Sequence, residues 1–332
     1  MLSIFVGLTL IAFYFHITNG VFDMTILEVL QTFLRIDPND KHDLVIFEFR
    51  LPRIVIAALV GIGLGIAGTV IQGVTRNGLA DPGILGINAG AGASIVIFMF
   101  FFQMSATNIL ADSWYTIFIM PLFGFVGGTI AAAIIFIFSW KNGVLDMQRL
   151  ILTGIAIGSG FGALSLYISL KMNANDYEMA AVWISGSIYN ANWAFVLSIL
   201  PWVVILSYVI YRKSHLLDYL QLEDTSAKSL GISVEKEKSI LLICSIGLVS
   251  ACVSVSGGIG FIGLMAPHIA KRLVGIQHRF VVPMSAAIGM FLLVLSDYIA
   301  KTVFEPSELP VGIVVSIIGI PYFLYLLIKT KA

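Results

Sequence analysis

The sequence predicts an all-α membrane protein of about ten transmembrane helices, and three observations carry that prediction. The chain of 332 residues is 58% hydrophobic and only 11% charged, with a mean hydropathy of +0.97. A soluble domain carries about 25% charged residues, and no soluble core could hide this much apolar surface. Apolar segments recur at about 2–18, 54–74, 84–102, 116–138, 150–170, 193–211, 239–256, 259–275, 280–300 and 310–328. Most of them approach the roughly 20 residues that a helix needs to cross a bilayer. Finally, the loops alternate in charge. With ten spans both termini share a side, and that side holds thirteen of the nineteen Lys and Arg residues. The positive-inside rule then places both termini in the cytoplasm.

Taken in order, the opening segment MLSIFVGLTLIAFYF looks like the apolar core of a signal peptide. It lacks a basic leader and a small-residue cleavage site, so it reads as a retained first span. The second segment follows EFRLPR, which sets Arg50 and Arg53 at the mouth of a span on the outer side. Only six basic residues fall on that side, among many acids, so this pair stands out. RNGLADPGILG (76–86) joins spans two and three through turn formers. Asp81 is placed to cap a helix begun by Pro82, whose missing amide costs nothing in a first turn. AAVWISGSIY (180–189) is too short to cross and reads as a re-entrant or interfacial helix between spans five and six. The longest inner loop is 212–238; Asp224 or Thr225 should cap a short helix that Gly231 closes. SGGIG (256–260) alone separates spans seven and eight, and ELPVGIVVSIIGIPYF (308–323) enters span ten through Pro310.

Several motifs limit what the chain can do. GIGLGIAG contains Gly63-x-Gly65-x-x-Gly68, a dinucleotide fingerprint on paper, but it lies inside an apolar span with no strand before it. Close helix packing is the better reading. There is no GxxxxGK[ST], so the chain has no P-loop of its own, and neither HExxH nor GxSxG occurs. Cys244 and Cys252, eight residues apart in one apolar segment, read as small buried side chains. Ionisable residues within spans are scarce. His268 and Asp297 come nearest, each about one turn from a span end, where hydrogen bonding is the plainer role and a proton path the bolder one. Ion-coupled carriers usually place carboxylates at the midplane, so the energy for any transport is expected from elsewhere.

The stretches RLPRIVIAALVG, QGVTRNGLADPGILGINAGA, GFIGLMAPHIAKRL, HRFVVPMSA and ELPVGIVVSIIGIPYFLYLL resemble one family. It is that of the permease subunits of binding-protein-dependent ABC importers for iron-siderophores, haem and cobalamin, the FecCD type. VWISGSIYNANW and AKSLGI match less closely. The resemblance runs from about residue 50 to the C-terminus. It implies the type II ABC importer permease fold as a single transmembrane domain over 1–332. Spans two to five and seven to ten would be halves of inverted topology. It also implies a bacterial cytoplasmic membrane location, a second permease subunit (identical or paralogous), two ATPase subunits and an extracytoplasmic substrate-binding protein. No cofactor would be held by this chain; ATP and Mg would bind the ATPase subunits.

Residue by residue, the resemblance assigns docking of the binding protein to Arg50 and Arg53, with Lys301 in DYIAK at the place of a third arginine. Lysine keeps the charge there and loses the bidentate fork. It assigns ATPase coupling to the 212–238 loop, at Asp218, Leu222, Glu223, Asp224, Ser229, Leu230 and Gly231. Met147 and Gln148 fall at an inner gate, where some relatives carry small hydroxyl residues, and Trp183 and Gly186 at an outer gate. The expected cargo is a ferric siderophore, with haem or cobalamin as alternatives. A metal would travel as a chelate, since no His, Cys or carboxylate cluster could hold a bare ion. The rival class is an ion-coupled secondary carrier, and an intramembrane enzyme lacks a catalytic constellation.

Overall fold

A computed structural model of the chain describes residues 1–20, 22–36, 39–103, 114–141, 143–305 and 307–330. Each of the ten apolar segments contains one helix. These are α1 (Leu2–Thr18), α4 (Leu51–Thr75), α5 (Ile87–Phe98), α6 (Trp114–Ser139), α7 (Met147–Ser169), α9 (Trp193–Arg212), α12 (Val234–Ser256), α13 (Ile262–Val274), α14 (His278–Thr302) and α15 (Val311–Thr330). Between them lie the short helices α2 (Ile26–Leu34), α3 (Asp40–Asp43), α8 (Ala174–Ile184), α10 (Ser214–Tyr219) and α11 (Asp224–Ser229). A two-residue hairpin pairs β1 (Trp140–Lys141) with β2 (Val144–Leu145). Among the described residues seven helices are long and apolar enough to cross a membrane; α1 and α5 are shorter apolar helices, and α13 has 13 residues.

The helix of the second segment begins earlier than its apolar run. It is continuous from Asp40 to Thr75, over 36 residues. Pro52 cannot donate a helical hydrogen bond and would crowd the preceding turn. A π-helical stretch, Leu44–Arg50, lies just before it, and the Leu51 amide donates to the Ile46 carbonyl five residues back. That wider turn carries the helix past the proline. The third segment departs in the other direction. Asp81 accepts from the Gly83 amide and caps a 3₁₀ turn, Pro82–Leu85, and the chain bends at Gly86 (φ 70°) before α5 starts. The short helix expected at 180–189 is α8, shifted toward the N-terminus. Asn173 caps it by accepting from the Asp176 amide at 2.9 Å, and Gly186 (φ 80°) follows its end.

α4 is the central column, buried along most of its length against α14, α12, α13 and α9. The fingerprint-like glycines provide the close approach: a methyl group at Gly68 would overlap the Gly263 carbonyl of α13, and one at Gly65 would overlap the Ser285 carbonyl of α14. The packing reading of GxGxxG is therefore the one realised, since these contacts leave no room for a nucleotide. Cys252 lies buried against α4, and both cysteines are free. α6, α7 and α9 lie at the periphery with broad apolar faces exposed. The turns that follow α4 and α12 meet, where the Phe261 amide donates to Asp81 at 3.2 Å.

Candidate functional site

At one end of the bundle, α1, α4, α14 and the loop before α15 bring six ionisable side chains together. Arg53 makes a fork to Asp297, Nε to Oδ2 at 2.8 Å and Nη2 to Oδ1 at 2.8 Å. Its remaining nitrogen, Nη1, donates to Glu308 at 2.6 Å. His16 shares Asp297 Oδ2 through Nε2 at 2.7 Å. Arg50 donates to the carbonyls of Ile17 and Phe22, and Lys301 donates to those of Asn19 at 2.7 Å and His16 at 3.4 Å. The three cations predicted from sequence thus converge, with Lys301 beside Arg50 around Gly20.

The setting differs from the one expected. Arg50, Arg53 and Lys301 are only 5%, 8% and 8% exposed, not presented on an open surface. Asp297 is fully buried. A carboxylate with no water around it must be matched by charge and hydrogen bonds, and Arg53 supplies both in bidentate geometry. The span-end hydrogen-bonding role expected for Asp297 is what is seen, with Arg53 and His16 as its partners. His16 and Glu308 were missed as members of the cluster. The available signal was acidic and basic residues at one depth on different spans, which pairs no particular two of them. The cluster forms a wall of a cavity of about 930 Å³, also lined by Glu48, Tyr189 and Asn192.

Beside this cavity, α8 ends against two glycine-bearing backbones. The Gly312 amide donates to the Gly186 carbonyl at 2.9 Å, and a side chain at Gly257 would overlap the Trp183 carbonyl. Gly257 has φ 66° and ψ −167°, a conformation open only to glycine. Trp183 and Gly186 therefore sit at the junction of α8, the turn after α12 and the start of α15. Met147 and Gln148 lie in the first turn of α7, where Asp146 caps the amides of Gln148 and Arg149 at 3.0 and 3.1 Å. That is the opposite end of the bundle, so the two candidate gate pairs are not brought together.

The 212–238 loop folds as α10 and α11 and is braced from three sides. Arg76, at the end of α4, donates to the Leu220 carbonyl at 2.7 Å, the Leu222 carbonyl, and Asp224 at 2.6 Å. Lys238 reaches the other oxygen of Asp224 at 2.9 Å. Asp218 accepts from the His278 amide at 3.0 Å and its ring Nδ1 at 2.6 Å, tying α10 to α14. Burial alone would raise the Asp224 carboxyl; the hydrogen bonds from Lys238 and Arg76 outweigh it and hold the group below its ordinary value. The expected capping by Asp224 or Thr225 does not occur: Glu223 is the residue before α11, with no side-chain cap, because Asp224 is engaged by the two cations. Gly231 does close the helix, at φ 80°. Of the seven residues predicted here, Asp218 and Asp224, both half-buried, act as braces. Leu222, Glu223, Ser229, Leu230 and Gly231 are exposed, Leu222 at 44% and Leu230 at 61%. Leu222 and Leu230 thus stand as two exposed leucines on a braced, charged loop.

A multi-pass helical bundle, a buried charge cluster under a cavity at one end and a rigid apolar-tipped loop at the other define a membrane transport permease. Residues 8–329 match the FecCD transport family. The chain belongs to that family and is an integral protein of the bacterial cytoplasmic membrane. It is 52% identical over 331 residues to the iron-uptake system permease protein FeuC of Bacillus subtilis (strain 168), covering 99% of this chain and 97% of that protein. It is 47% identical to the iron(3+)-hydroxamate import system permease protein FhuG of the same organism, covering 98% and 95%. Among solved structures, an inward-facing metal-chelate type ABC transporter superposes with a TM-score of 0.84 at 28% identity, covering 99% and 98% of the two chains.

Proposed function

We propose that the chain is the permease subunit of an ATP-driven importer of ferric siderophores. Its partners in this reading are a second permease subunit, identical or paralogous, two ATPase subunits that bind ATP and Mg, and an extracytoplasmic binding protein. The full-length likeness to permeases named for iron uptake and iron(3+)-hydroxamate import carries the substrate class. Ten spans with both termini in the cytoplasm fit the ten main helices and the cation count. Inverted halves, α4–α7 and α12–α15, fit the meeting of the turns after α4 and α12.

In this mechanism the loaded binding protein docks over the 930 Å³ cavity. Arg53 is already matched by Asp297 and Glu308, whereas among the described residues Arg50 and Lys301 donate only to carbonyls. A carboxylate of the binding protein would therefore be drawn to Arg50 and Lys301, and would compete with Glu308 for Arg53. Such charges steer the encounter as well as hold the complex. ATP-driven closure of the ATPases would push on Leu222 and Leu230. The braces from Arg76, Lys238 and His278 would pass that movement to α4, α12 and α14. Trp183 and Gly186 are proposed to seal the outer end of the path, and Met147 and Gln148 to line its inner end.

The experiment is uptake of radioiron-labelled hydroxamate and catecholate chelates in a strain deleted for the chain. Complementation should restore uptake of a ferric siderophore and not of haem or cobalamin. Restoration of haem or cobalamin uptake alone would overturn the cargo assignment and leave the importer reading standing.

A further inference from the structure

A cavity of about 380 Å³ runs along the membrane-facing side of the bundle, between α6 and α9 with α12 as its floor. Phe125, Thr129, Ala133 and Ile137 form one stripe of α6 along it, spaced four residues apart, which spans about 18 Å at the helical rise. Trp202 stacks on Phe125, ring centroids 4.7 Å apart, and closes one end. Gly247 of α12 keeps the floor low, since a side chain there would press on Leu206. The one hydroxyl in the lining, that of Thr129, already donates to the Phe125 carbonyl at 2.8 Å. A groove lined almost wholly by apolar side chains, lying at membrane depth, is matched by hydrocarbon and not by water.

What tops the groove is different in kind. Following the three helices to the Ile137 end leads to Lys141, Arg212 and Lys236, all exposed. Lys236 lies seven residues before Ile243, two helical turns along the same face of α12. Of the nearby acids, Glu237 pairs with Lys213 at 2.5 Å and Asp146 faces Arg149, while Glu235 accepts from the Leu145 amide at 3.2 Å through one oxygen. Trp140, edge-on to Phe136 at 5.8 Å, marks the boundary between groove and cations, a usual place for tryptophan at a membrane interface.

We propose that this groove binds one acyl chain of an anionic phospholipid of the cytoplasmic leaflet, with Lys141, Arg212 and Lys236 holding its headgroup. The proposal rests on the sidedness given above, which puts these cations inside. A site of this kind fixes α6, at the rim of the bundle, to α9 and α12, and ties its stability to the charge of the surrounding lipid. Each cation near such a surface contributes a factor of about five to binding.

The test uses the full chain purified in detergent with an equal mixture of dioleoyl phosphatidylglycerol and dioleoyl phosphatidylcholine, with retained lipids counted by native mass spectrometry. The wild type should keep phosphatidylglycerol in preference. Ala133→Phe, which fills the groove from its open wall, should lose it. Should that variant fold poorly, Arg212→Gln with Lys236→Gln tests the headgroup alone, and should lower the preference by about twenty-five-fold. Equal retention of the two lipids by wild type, or unchanged retention in the variants, overturns the proposal. So does a disulfide-linked dimer of Ala133→Cys, which would make the groove a contact between copies. Labelling of Lys141→Cys from outside the cell would overturn the sidedness, and the lipid assignment with it.

Discussion

Asp297 holds Arg53 by a two-point fork and shares one oxygen with His16, all three buried. Removing one member of such a pair strands the other charge, at a cost of about 3–5 kcal/mol. Asp297→Asn should therefore lower the unfolding temperature of the purified chain sharply. Glu308→Gln, at a carboxylate 21% exposed, should cost much less. Equal and small effects in thermal unfolding would contradict a structural role for the fork. The same geometry says that Arg53→Glu is a poor probe of docking, because it places a third carboxylate beside Asp297 and Glu308. Lys301→Gln is better: the amide can still donate to the Asn19 carbonyl while the charge is gone. It should weaken capture of the binding protein in a pull-down with normal membrane insertion; undiminished capture would count against Lys301 as a docking cation. The cluster was half legible in the sequence. Arg50, Arg53 and Lys301 stood out as cations among acids. Nothing local marked His16, which lies 281 residues from Asp297 in the chain and meets it only because α1 packs on α14.

At the scale of the element, the 212–238 loop behaves as a small braced unit, and its acid response follows from Asp224. That carboxyl is held below its ordinary value, so the brace it gives is fully present above about pH 4, the unfolded reference. It is lost as pH falls through the lowered folded-state value. Hydrogen exchange over residues 220–231 should be flat in protection from neutral pH to mild acid and then rise. In Asp224→Asn it should be raised throughout, with no acid step. Leu230→Asp should leave this protection intact while the partner ATPase no longer co-purifies and uptake stops; wild-type co-purification would remove Leu230 from the docking face. Helix contacts give a sharper contrast. Gly68→Ala forces a methyl into the Gly263 carbonyl and should abolish folded protein. Gly7→Ala meets nothing and should gain up to about 1 kcal/mol of helix preference. The ten helices were legible because apolar length dictates them. Their ends were not: a π-turn before Pro52 and a 3₁₀ turn at Pro82 moved two starts by several residues, and apolar run length carries no information about either.

For the whole molecule, the two ends differ in kind. One end carries buried charge under a cavity, and the other carries a stiff loop with exposed leucines. α4 joins them directly, from Arg53 near its start to Arg76 just past its end. On the proposed reading, a force on the loop would reach the charge cluster through this one continuous, well-packed helix. Nothing in the chain hydrolyses ATP by a P-loop of its own, so on the proposed reading the energy arrives through Leu222 and Leu230. The most direct test is reconstitution of the permease pair in liposomes, with binding protein and ferric siderophore outside and the ATPase subunits either present or omitted. Transport is predicted only with the ATPases and internal ATP, and no ion gradient should replace them. Accumulation of the chelate driven by a proton or sodium gradient, with the ATPases omitted, would contradict it.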